Sequence, residues 1–266
     1  MNILIVSILA APLLAGGSDT EKEAKKAVED FRSVYFLKST TDADRIASIQ
    51  NLAKIPHMNT ARMLGKLLFI APDAHRITAA LALGDFYEVR GASALAAGAL
   101  MARCNKDKTT LRVALVQTLG SLRQTAVLPL LHHLVEKDDF IVAKAVIEVI
   151  PSFERRESIP LLIKYLRKCE RKPDNFTMNL NIGDLCNLDK LKDQTGMGGG
   201  SVSGLGAEGQ MDFKVKINAD EKQGLRNRLC YPALKKALRE LTGHYLPDWK
   251  SWNQWWRSGG AHAQRR

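Results

Sequence analysis

The chain has no tryptophan before residue 249, no C-x-x-C pair and no apolar run of the ~20 residues that a membrane-spanning helix needs. Each absence excludes something. Without a C-x-x-C pair, its four cysteines, Cys104, Cys169, Cys186 and Cys230, do not read as a zinc or thiol-redox site. Four cysteines allow three pairings. In an exported chain, Cys169 with Cys186 would staple the start of an irregular segment, and the alternative is buried free thiols. His132 and His133 are adjacent, so on a helix they do not share a face, and no second ligand pair lies four residues away. No G-x-x-x-x-G-K-[ST] loop is present, and no nucleophile, base and acid stand in a recognisable pattern. We therefore expect no catalytic, cofactor-binding or metal-binding residues.

What is present is a globular composition, with 45% apolar and 25% charged residues in 266. The net charge is +11 and it is unevenly placed. From Glu221 to Arg266 ten Lys and Arg stand against three Asp and Glu, a balance of +7. A basic end of this kind attracts anionic partners, although it also serves as a solvated tail. The apolar run Ile3–Ala15 matches the core of a secretory signal, with Ala15-Gly16-Gly17 as a cleavage site; its leading segment carries no Lys or Arg. The expectation is a signal peptide over 1–17 and an exported product, periplasmic or extracellular; if the run is not cleaved, it reads as a buried first helix in a cytoplasmic protein.

Four segments align with one another: "DADRIASIQNLAKI" from Asp42, "DAHRITAALALGDF" from Asp73, "TTLRVALVQTLGSL" from Thr109 and "DFIVAKAVIEVIPSF" from Asp139. In register, Arg45, Arg76 and Arg112 coincide and Val142 breaks the series. Ala53, Gly84, Gly120 and Ile150 share another position. The spacing is roughly 30–36 residues, a helical-repeat period. Each unit continues into a second segment with apolar residues three and four apart, so each unit reads as two amphipathic helices. Asp42 and Asp73 fall where N-caps are wanted, and Pro129 and Pro160 fall near the starts of second helices. A preceding helix over Glu21–Lys38, with Val28, Phe31, Val34, Tyr35 and Leu37 on its docking face, suits an N-terminal cap. None of these helices can bury its stripe alone, and stacking them makes a continuous seam.

The run Asp-x-x-Arg, then small and apolar residues, then Leu-Gly, then "AVLPLL" or "SIPLLI", resembles the HEAT repeat, in its phycobilisome-lyase-like flavour, over Asp42–Leu166. The resemblance implies an all-α, HEAT-like α-solenoid over 18–173. Two activities are known among such solenoids. One is alkylated-DNA glycosylase chemistry using Trp and Asp on a basic concave surface, but here the tryptophans follow the repeats. The other is bilin lyase activity, which no residue specifically supports.

After Pro173, "NFTMNLNI" and "DFKVKIN" alternate with a period of two around the Gly-rich Gly196–Gly209, which reads as a β-ribbon inserted over 174–219. A last helix is expected over Pro232–Leu241, with Gly243 just past its end. Asp248 then caps a helix that aligns Trp249, Trp252 and Trp256, with Trp255 off that stripe. The pairing of "LTG" with a segment ending in "WW" resembles the C-terminus of some exported bacterial HEAT-repeat proteins, and it carries no biochemical role. Tryptophans here either cover the open end of the stack or form a platform for sugars or bases. The candidate binding surface is Arg45, Arg76 and Arg112 with Trp249, Trp252, Trp255 and Trp256. The expected function is non-catalytic scaffolding of a protein partner; the alternative is a binder of nucleic acid or another anionic polymer. In-register arginines also commonly satisfy carbonyls and carboxylates between repeats.

Overall fold

A computed structural model describes residues 17–170 and 219–260. All regular structure among them is helical: α1 (Gly17–Tyr35), α2 (Asp42–Ala53), α3 (Met58–Ile70), α4 (Asp73–Leu83), α5 (Ala92–Met101), α6 (Thr109–Leu122), α7 (Leu128–Lys137), α8 (Phe140–Val149), α9 (Ile159–Glu170), α10 (Ala219–Thr242) and α11 (Trp249–Trp255). The apolar run Ile3–Ala15, the segments expected to form a β-ribbon, the Gly-rich stretch and Cys186 lie outside the described residues. No helix among the described residues is long and apolar enough to cross a membrane.

The helices pack in sequence order. α2, α4, α6, α8 and α10 each touch the next, while α1, α3 and α5 do the same beside them. α7 packs on α8, α9 on α10, and α11 on α9. The seam between them is one apolar cluster that includes Ile49, Leu52, Leu64, Leu83, Leu115, Leu119, Val146, Leu162 and Leu234. Alternate helices supply the spacing-of-three-and-four residues that meet there, which is why no single helix could bury them.

Local chemistry sets the helix ends, and in places it differs from the sequence expectation. Thr41, not Asp42, caps α2 by accepting from Asp44 N, and Pro72, not Asp73, precedes α4; both aspartates sit in the first turn, where the helix dipole favours them. Pro129 and Pro160 lie in the first turns of α7 and α9, as expected. α10 is longer than Pro232–Leu241: it begins at Ala219 and carries Pro232 inside it. Packing on α8 and α9 along its length sustains the helix across a residue that cannot donate its N–H. In α1 the buried face is Ala24, Phe31 and Tyr35, whereas Val34, and Leu37 just past the helix end, are exposed rather than docked.

Candidate functional site

The three in-register arginines begin α2, α4 and α6, and each turns its guanidinium onto backbone carbonyls that the preceding helix or turn leaves unsatisfied. Arg45 Nε donates to Tyr35 O at 3.1 Å and its Nη2 to Leu37 O at 3.2 Å, just past α1. Arg76 Nε donates to Ala71 O at 2.6 Å, at the end of α3. Arg112 Nη1 donates to Lys106 O at 3.4 Å, in the turn after α5. Two of them also reach the turn that closes their own unit. Arg76 Nη1 donates to Asn105 Oδ1 at 2.8 Å. Arg112 donates to both carboxylate oxygens of Asp138, with Nη1 to Oδ1 at 2.6 Å. That pair is almost enclosed, its side chains 10% and 6% exposed. The guanidinium groups therefore lie in sockets between helix ends.

Asn105 was not singled out by its sequence context, yet it is fully buried and fully used. Its Nδ2 lies within bonding distance of Leu68 O and Ala99 O, at 3.1 and 2.9 Å, while its Oδ1 takes Arg76. The break at Val142 has a counterpart as well. With no arginine on α8, the carbonyls at the end of α7 are met by Arg226 of α10, which donates to Asp138 O at 3.0 Å and to Val135 O. The missing arginine in the repeat alignment was the one available signal that another cation had to arrive there. His75, which opens α4, is also structural: it is buried, and its Nδ1 shares a 2.9 Å hydrogen bond with the Tyr35 hydroxyl of α1. Asp139 caps α8 by accepting from Ile141 N at 2.8 Å.

The tryptophans occupy the other end of the described chain. Asp248 caps α11, accepting from Ser251 N at 2.8 Å, and the Glu170 carboxylate accepts from Trp249 N at 3.1 Å. Trp252 is 1% exposed, and its Nε1 has no acceptor among the described residues. Trp255 meets Trp252 edge-on with centroids 5.8 Å apart, and it also lies against His244 and Trp256. It is thus part of the cluster rather than a separate projection. Trp249 lies under the Arg167 guanidinium of α9, 4.7 Å from the ring centroid, a cation–π contact. Trp249, Trp255 and Trp256 are all half-buried. The structure does not bring the arginines and tryptophans together, because α11 packs on α9 and the arginines stand on α2, α4 and α6.

Cys169 and Cys230 line one cavity walled by α7, α8, α9 and α10. Burial pushes the Cys169 thiol up to about 12, with neighbouring Cys230 adding to the effect, and pushes Cys230 up to about 11. Both are protonated at neutral pH and poorly nucleophilic. Among the described residues no group of three or more His, Cys, Asp and Glu side chains is placed to hold a metal. Compared with known proteins, the chain matches no family model, no curated protein and no solved structure.

Proposed function

We propose that the chain is a HEAT-like α-solenoid that acts as a non-catalytic scaffold, binding a protein partner on its helix surfaces. The observation that carries this reading is the pairing of inward-turned arginines with outward-turned apolar side chains. The repeat arginines are occupied by carbonyls and carboxylates of their own fold. Phe36, Ile70, Tyr87 and Tyr245 are meanwhile between 54% and 71% exposed. Exposed apolar side chains of this size suit a partner surface.

Affinity capture of the chain from its own cell fraction tests this. A protein retained in stoichiometric amount, on a contact that survives about 0.3 M salt, supports scaffolding. The rival reading as a nucleic-acid or polyanion binder draws on the basic end, and it predicts steep loss of polyanion binding with salt. The glycosylase reading fits less well, because Trp249, Trp252 and Trp255 stand on α11, Trp256 directly follows it, and α11 packs toward α9.

A further inference from the structure

α1 and α3 lie side by side at the start of the stack and leave a groove between them. Lys25 and Arg32 of α1 and Arg62 and Lys66 of α3 line it, over an apolar floor that includes Val28 and the buried Met63. One carboxylate, Glu29, also borders it. Lys25 pairs with Glu21 at 2.8 Å. Arg32, Arg62 and Lys66 form no ion pair with any described residue. Three cations on two helices thus face a shared groove without an ion pair among the described residues, and Glu29 is the one carboxylate lining it.

Beyond the groove, both helices carry exposed apolar side chains. On α1, helical spacing carries the stripe from Lys25 through Glu29 and Arg32 to Phe36, which is 54% exposed. On α3, the stripe runs from Arg62 through Lys66 to Phe69 and Ile70, both exposed. Phe36 directly follows α1, and Phe69 and Ile70 end α3, so each of the two packed helices carries exposed apolar side chains at its C-terminal end. The lined stretch of α3, Asn59 to Lys66, is about 10 Å at 1.5 Å per residue, or two turns of helix, and Phe69 and Ile70 stand on the turn that follows.

We propose that the α1–α3 groove is the docking site for an acidic amphipathic helix of a partner protein, with carboxylates toward Arg32, Arg62 and Lys66 and apolar residues toward Phe36, Phe69 and Ile70. This rests on the scaffold reading and assigns it a place. Charge complementarity selects an acidic occupant. The aliphatic side chains there, Val28, Met63 and Ile70, favour a peptide, whose amphipathic helix can lay apolar residues against them.

The test uses the full chain and a fluorescein-labelled, helix-forming 15-residue peptide with one Glu-rich and one Leu/Phe face. Anisotropy should show saturable binding. R62E/K66E should weaken it by about tenfold or more at low salt, with the difference shrinking as salt rises. F69S/I70S should weaken it by about threefold or more at low and high salt alike. Circular dichroism should be unchanged in both variants, since all four side chains are exposed. No binding, or equal binding by the variants, overturns the proposal. So does a 15-nucleotide single strand that binds as tightly as the peptide and is insensitive to F69S/I70S. If R62E/K66E still captures the partner that the unaltered chain captures, the groove is wrong and the scaffold reading stands. If the unaltered chain captures nothing, both fall.

Discussion

Arg112 and Asp138 show how this fold treats charge. A two-pronged pair shut away from water is tolerable only while both members are present. Asp138→Ala leaves the guanidinium of Arg112 buried with one carbonyl for company, and we expect it to cost about 3–5 kcal/mol in a urea titration. Lys168→Ala should cost under about 1 kcal/mol, because its pair with Glu136 is largely exposed. Equal losses would contradict the assignment. A second residue sets a pH dependence. Burial holds His132 below its ordinary 6.5, with Glu157 opposing, and Nε2 lies 2.9 Å from Ser158 Oγ. Its folded-state pKa is depressed, so the unfolded chain binds the proton more readily. The stability this contributes is full above pH 6.5 and is lost as pH falls toward the folded-state value. Thermal midpoints between pH 5 and 7.5 should therefore fall less steeply toward acid in His132→Gln than in the unaltered chain; parallel curves would refute it.

Helix-on-helix contacts explain why some repeat positions are small. An added Cβ on Gly120 of α6 would stand 2.5 Å from Val149 Cγ1 of α8, whereas one on Gly98 of α5 meets nothing within 4 Å. Both glycines lie within helices, so alanine gains up to about 1 kcal/mol of propensity at each. At Gly98 that gain should appear as a raised midpoint. At Gly120 an overpacking cost of about 1–3 kcal/mol should reverse its sign, and Val149→Ala should restore most of the loss. Arg226→Met should loosen α10 from α7, seen as faster amide exchange at the end of α7, because two carbonyls there lose their donor.

These contacts also show what the sequence could reveal. The shared positions of Arg45, Arg76 and Arg112 were legible from alignment alone, and so were the helix pairs. Which carbonyls the arginines meet was not legible, since Ala71 O and Lys106 O carry no side-chain signature. Asn105 and Arg226 were invisible for the same reason: they reach Leu68 O and Asp138 O, backbone groups brought near only by stacking. The start of α10 is not legible at Pro232, because local propensity counts proline as a start, while tertiary packing carries the helix through it.

At the scale of the whole molecule, the proposed solenoid rests on neighbours in sequence being neighbours in space. α2 touches α4, α4 touches α6, α6 touches α8, and α8 touches α10. Interhelical steps of about 8–10 Å then add up along the row. Bio-orthogonal spin labels at the exposed Gln50, Gln117 and Glu148 read that sum directly by pulsed dipolar spectroscopy. The account predicts about 20 Å between labels on α2 and α6 and about 30 Å between those on α2 and α8. An α2–α8 distance equal to or shorter than the α2–α6 distance would mean that the helices fold back on one another, and it would contradict the ordered stack.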